Sequence, residues 1–83
     1  MMQRPIFQIA NEIANDWKSQ KGGIYYAAVP YLEAMLEIAS VDQNYGYDTA
    51  RDMVNRFLGN ASTYRGEKAR ELKAELKNIL KES

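Results

Sequence analysis

Glu67-Lys68-Ala69-Arg70-Glu71-Leu72-Lys73-Ala74-Glu75-Leu76-Lys77-Asn78-Ile79-Leu80-Lys81 decides the fold class of this 83-residue chain. Ala69, Leu72, Leu76, Ile79 and Leu80 recur at three- and four-residue intervals, which gathers them on one stripe of an α-helix. Glu67, Glu71 and Glu75 fall on one flank of that stripe. Arg70, Lys73, Lys77 and Lys81 fall on the other. Like charges four residues apart repel slightly, so this order is not the one that best stabilises an isolated helix. Segregated flanks around an apolar seam suit an antiparallel partner helix, or a groove with a basic wall. A second copy laid antiparallel would set each acidic flank against a basic one across a two-fold axis, and a homodimer through Leu72, Leu76, Ile79 and Leu80 is expected on that ground. The same seam can instead pack on earlier helices of its own chain.

Upstream, the connector from Ala61 to Gly66 is rich in small polar residues, and the last helix is expected to begin between Thr63 and Glu67. Before it, Ala50, Met53, Val54, Phe57, Leu58 and Ala61 form another helical stripe, with Asp48 as the expected N-cap and Gly59-Asn60 as a stop signal. Ser40 to Tyr47 has loop composition, with Asp42, Asn44 and Gly46 as turn formers. Tyr25, Ala28, Val29, Leu32, Met35, Leu36 and Ala39 share one wide face, and a helix is expected over about Val29 to Ala39 with Ile24 to Ala28 as a preceding turn. Pro30 suits the start of that helix. At the N-terminal end, Pro5 fits a first helical turn, and Ile6, Ile9, Ala10, Ile13 and Trp17 make a stripe that Gly22-Gly23 is expected to end. Glu12 and Asp16 are expected on the opposite, solvated face. The fold class is therefore all-α, a compact bundle of three to four short amphipathic helices, with residues 1–83 as a single domain. Trp17, Leu32, Leu36, Phe57, Leu72 and Leu76 sit mid-stripe and are expected to be buried.

Composition narrows the chemistry. Hydrophobic residues make up 46% and charged residues 27%, a balance that supports a folded globule rather than a disordered segment. Lys plus Arg equals Asp plus Glu, so the chain as a whole is not a polycation built to coat nucleic acid. There is no cysteine and no histidine, which removes thiol nucleophiles, zinc-thiolate sites and the commonest general base. Nothing approaches the ~20 consecutive apolar residues of a membrane-spanning helix. The N-terminal residues lack an apolar signal core, so a cytoplasmic location is expected.

Only carboxylates remain for metal or acid–base work. Glu12 with Asp16 and Glu33 with Glu37 each stand four apart, and two such pairs on facing helices can hold Mg²⁺ in all-α nucleotide hydrolases. Those enzymes use larger sets spaced three apart, and isolated pairs are usually solvated, so neither a metal, a cofactor nor an enzyme activity is expected. The last two helices can also be taken as a helix-turn-helix. From Tyr64 onward six cations face four acids, a local charge of 6 − 4 = +2, which is weak for phosphate binding, and the connector exceeds the 3–4 residues usual in that motif.

One further feature concerns Pro30-Tyr31-Leu32-Glu33-Ala34-Met35, Tyr45-Gly46-Tyr47-Asp48-Thr49-Ala50-Arg51, Phe57-Leu58-Gly59-Asn60-Ala61, Tyr64-Arg65-Gly66-Glu67 and Ala69-Arg70-Glu71-Leu72-Lys73. Over about residues 30–80 this succession resembles a group of small, uncharacterised helical proteins encoded by tailed phages. The resemblance implies a helical fold, a phage accessory role and the host cytoplasm as the place of action; it implies no catalytic residue.

Tyr and Arg are favoured at binding hot spots. Tyr45, Tyr47, Tyr64 and Arg65, with Arg70, Lys73, Lys77 and Lys81 of the basic flank, are therefore the expected interaction surface. A protein–protein interaction module is the leading expectation, acting on a phage or host protein, with a small DNA-binding regulator second and a Mg²⁺-dependent hydrolase third.

Overall fold

The computed structural model describes residues 4–42, 44–45 and 48–82, with side chains at 44, 45 and 48 left aside. Among the described residues four α-helices follow one another: α1 (Ile6–Lys18), α2 (Val29–Met35), α3 (Ala50–Gly59) and α4 (Glu67–Glu82). A single 3₁₀ turn, Tyr26–Ala28, leads into α2. Asn44-Tyr45 pairs antiparallel with Asp48-Thr49, Asn44 opposite Thr49 and Tyr45 opposite Asp48. This short ladder lies where the sequence indicates only a loop. The all-α bundle is thus the observed architecture: α1 packs against α4 and α2, and α3 against α2 and α4.

The α1 stripe closes as its spacing predicts, with Ile6, Ile9, Ala10, Ile13 and Trp17 all buried. Pro5 stands just outside the helix as its extended N-cap and offers no side-chain acceptor. The first-turn donors are satisfied from another part of the chain. The amide of Ile6 donates to the Ala39 carbonyl at 3.0 Å and that of Phe7 to the Ile38 carbonyl at 2.7 Å. A helix start without such acceptors would leave orphan N–H groups.

That arrangement explains why α2 ends at Met35 rather than continuing to Ala39. After Met35 the bonds tighten to three-residue turns, Glu37 to Ala34 at 3.0 Å and Ile38 to Met35 at 3.2 Å, and the carbonyls of Ile38 and Ala39 turn toward α1. The register of the apolar face changes with it. Leu36, expected in the core, is 40% exposed, while Ile38 and Val41 are buried in its stead. Tyr25, also placed on the buried face by periodicity, is 40% exposed and meets Tyr26 edge-on.

Two other boundaries differ from the sequence reading. The first helix ends at Lys18, where Ser19 Oγ donates back to the Asp16 carbonyl at 2.6 Å, four residues before Gly22. Gly22 and Gly23 follow in the turn, with φ of 91° and 66°, a conformation other residues rarely adopt. The N-cap of α3 is Thr49, not Asp48: Thr49 Oγ1 accepts from the Asp52 amide at 3.1 Å. Thr49→Ala should lower stability by about 1 kcal/mol, since an N-cap hydroxyl contributes ~0.5–2 kcal/mol. An unchanged urea midpoint would show that the cap contributes nothing.

The core centres on aromatic rings. Trp17 stacks on Tyr64 with centroids 5.0 Å apart and meets Phe57 edge-on at 6.1 Å. Leu32, Leu72 and Leu76 are buried as predicted, which leaves Leu36 as the one member of the predicted set outside the core. No helix of the described residues is long and apolar enough to cross a membrane.

Candidate functional site

The stripe Ala69, Leu72, Leu76 and Ile79 of α4 is buried inside the chain. The apolar seam proposed from sequence as a dimer interface is therefore consumed by the monomer's own core. What α4 leaves outward is its basic flank.

The N-terminal half of that flank curves into a groove of about 440 Å³ lined by Tyr64, Arg65, Gly66, Arg70, Lys73, Ala74 and Lys77. Five of the eight residues singled out from sequence meet here: Tyr64, Arg65, Arg70, Lys73 and Lys77. Lys81 lies one turn further along α4, exposed. Tyr45, through its side chain, and Tyr47, entirely, lie outside the described residues.

Tyr64 is not a surface residue. Its relative exposure is 0%, because the connector folds its ring onto Trp17 and its hydroxyl donates to Asp16 Oδ2 at 2.7 Å. It forms the floor of the groove rather than its rim. Burial first, and the bond to Asp16 second, push its phenol well above the ordinary value near 10.

That shift has a signed consequence. Above pH 10 the folded state keeps a proton that the unfolded state loses, so the stability Tyr64 confers falls as pH rises. Tyr64→Phe should be less stable than the parent by about 1 kcal/mol near neutral pH, the worth of one hydrogen bond. The gap should close as pH climbs past about 10. Denaturant melts at both ends of that range test it; a gap that stays constant would contradict the assigned bond.

Lys73 sits above this floor. Its Nζ donates to the Ala61 carbonyl at 2.6 Å and lies 5.6 Å from the centre of the Tyr64 ring. Burial, then the like charges of Lys77 and Arg65, lower its pKa. The cause is informative: Lys73 experiences other cations and no neutralising acid. Among the described residues the Arg65 side chain makes one long contact, donating from Nε to the Ser62 carbonyl at 3.4 Å. Among the described residues, neither Arg70 nor Lys77 enters an ion pair, and no carboxylate lines the groove.

Glu12, Asp16 and Glu75 are engaged elsewhere. Arg4 holds Glu75 through Nε and Nη2, both at 2.7 Å, and reaches Glu12 through Nη1. Glu12 and Asp16 thus face α4 and Tyr64, not open solvent as expected. Arg4 lies outside every helical stripe, and no sequence signal pointed to it. The other proposed pair also dissolves: α2 stops before Glu37, so Glu33 and Glu37 do not sit one turn apart on a common helix. Among the described residues no three metal-ligating side chains cluster.

No family model, curated protein or solved structure matches the chain. The groove must be understood from its own chemistry: a shallow cationic trough on a rigid helix, floored by a fixed ring, complementary to an extended anionic surface.

Proposed function

We propose that the chain is a small helical docking module, without catalytic chemistry of its own, that holds an acidic segment of a partner protein along the α4 groove. The observation that carries this reading is the convergence of Arg65, Arg70, Lys73 and Lys77 on one concave face with no lining acid. Uncompensated charge on a packed element costs stability through mutual repulsion, and it is retained where a partner neutralises it. The lack of His and Cys, and the engagement of Glu12, Asp16 and Glu75, support a binding role over a hydrolytic one.

The partner is taken to be a different protein. A second copy could not join through the α4 seam, since that seam is buried. The resemblance to small phage-encoded helical proteins supports an accessory role on a phage or host protein, in the host cytoplasm. A DNA-binding role is second: residues 60–66 separate α3 from α4, too many for a tight helix-turn-helix.

Anisotropy of a labelled acidic helical peptide, run beside a labelled duplex at several salt concentrations, tests the reading. Micromolar binding of the peptide, weakened by salt but less steeply than the duplex, supports it. Tighter binding of the duplex with a steep salt slope would replace it with the regulator.

A further inference from the structure

We propose that the end of the groove between Arg65, Arg70 and Lys73 is a binding site for a phosphoryl dianion carried on a side chain of the partner protein. The inference rests on the docking reading and names the group recognised.

Charge comes first. Four cations line the groove and no carboxylate does, among the described residues. One glutamate would neutralise a single unit. A phosphorylated side chain brings about −1.5 to −2 at pH 7 and three acceptor oxygens.

Donor geometry comes second. Arg70 has no partner among the described residues, and Arg65 commits only Nε, so both guanidinium forks keep paired N–H donors of the kind that bind phosphate oxygens two at a time. The Lys73 ammonium has three donors and gives one to the Ala61 carbonyl, which leaves two for a ligand while fixing the nitrogen in place. Tyr64 beneath it is immobile, held by Trp17 and Asp16.

Spacing comes third. Along α4, Arg70 and Lys73 are separated by a rise of ~4.5 Å, whereas Lys77 lies ~6 Å beyond Lys73. The first pair, with Arg65 at the helix start, is the denser cluster. Lys77 and Lys81 are left for carboxylates further along the same segment. Recognition of phosphorylated motifs by arginine clusters uses this chemistry.

The test uses the whole chain and two peptides of one acidic sequence, differing only in phosphoserine against glutamate at the central position. Calorimetric titration should show the phosphopeptide binding at least tenfold more tightly. Inorganic phosphate should compete with it. Its affinity should fall between pH 7 and 5 as the phosphate takes up its second proton, while the glutamate peptide changes little. Arg70→Lys keeps the charge but loses the fork, and should weaken the phosphopeptide several-fold and the glutamate peptide by a smaller factor. Equal affinity for both peptides would overturn the phosphoryl site and leave the docking reading standing. Failure of both peptides to bind would overturn the site and the docking reading together. Preference for duplex DNA over both peptides would also overturn the site.

Discussion

Trp17→Ala should abolish the folded state or lower its melting temperature by ~20 °C, the largest loss expected from any single truncation in the chain. Trp17 is 1% exposed and is the common neighbour of Phe57 and Tyr64, so it joins α1 to α3 and to the α3–α4 connector. Truncating a fully enclosed aromatic costs ~3–5 kcal/mol, because the cavity left behind adds to the lost transfer energy. A chain of this length has a total stability of roughly 4–12 kcal/mol, so that loss is a large part of the whole. Each kcal/mol shifts the midpoint of such a domain by about 4–8 °C. Leu36→Ala is the control. Periodicity puts Leu36 in the same core, but it is 40% exposed, and its truncation should change stability by less than about 1 kcal/mol. Similar losses at the two positions would contradict the early end of α2.

Arg70→Glu combined with Lys77→Glu should eliminate binding of an acidic segment while leaving the fold intact. The pair changes the charge lining the groove from +4 to zero, since each reversal removes two units. Both side chains are exposed and make no ion pair among the described residues, so stability should move by no more than about 0.5 kcal/mol. Affinity for an acidic peptide should fall at least tenfold, about 1.4 kcal/mol, with most of the effect at low salt. Reversal of Glu67 and Glu71 to Lys, on the far flank of the same helix, should leave affinity unchanged or raise it. A gain from the Glu67 and Glu71 reversal as large as the loss from the Arg70 and Lys77 reversal would mean that net charge, not the groove, governs binding.

The two longest helices were legible because their burial is one-sided. Ile6 to Trp17 and Ala69 to Ile79 each close a stripe that local spacing alone defines. The end of α2 was not legible, because it is fixed by carbonyls of Ile38 and Ala39 capping a helix more than thirty residues upstream. Periodicity carries no trace of such a bond. Tyr64 misled for a related reason: it lies among small polar residues, and only the return of the connector over Trp17 buries it. The basic flank of α4 was visible as a set of residues. Its concavity was not, since Arg65 and Gly66 come from outside the helix. The seam was seen as well, but whether it faced a second copy or the chain's own α1 depended on packing that no helical wheel displays.

The central claim is that recognition occurs in the α4 groove. Mapping of amide chemical shifts on the intact chain, titrated with an acidic phosphoserine peptide, tests it most directly. The account predicts that the largest shifts fall at Arg65, Gly66, Arg70, Lys73 and Lys77, with the indole of Trp17 responding weakly through Tyr64. Shifts centred instead on the exposed apolar residues Phe7, Tyr26 and Leu36, with the α4 amides unmoved, would contradict it.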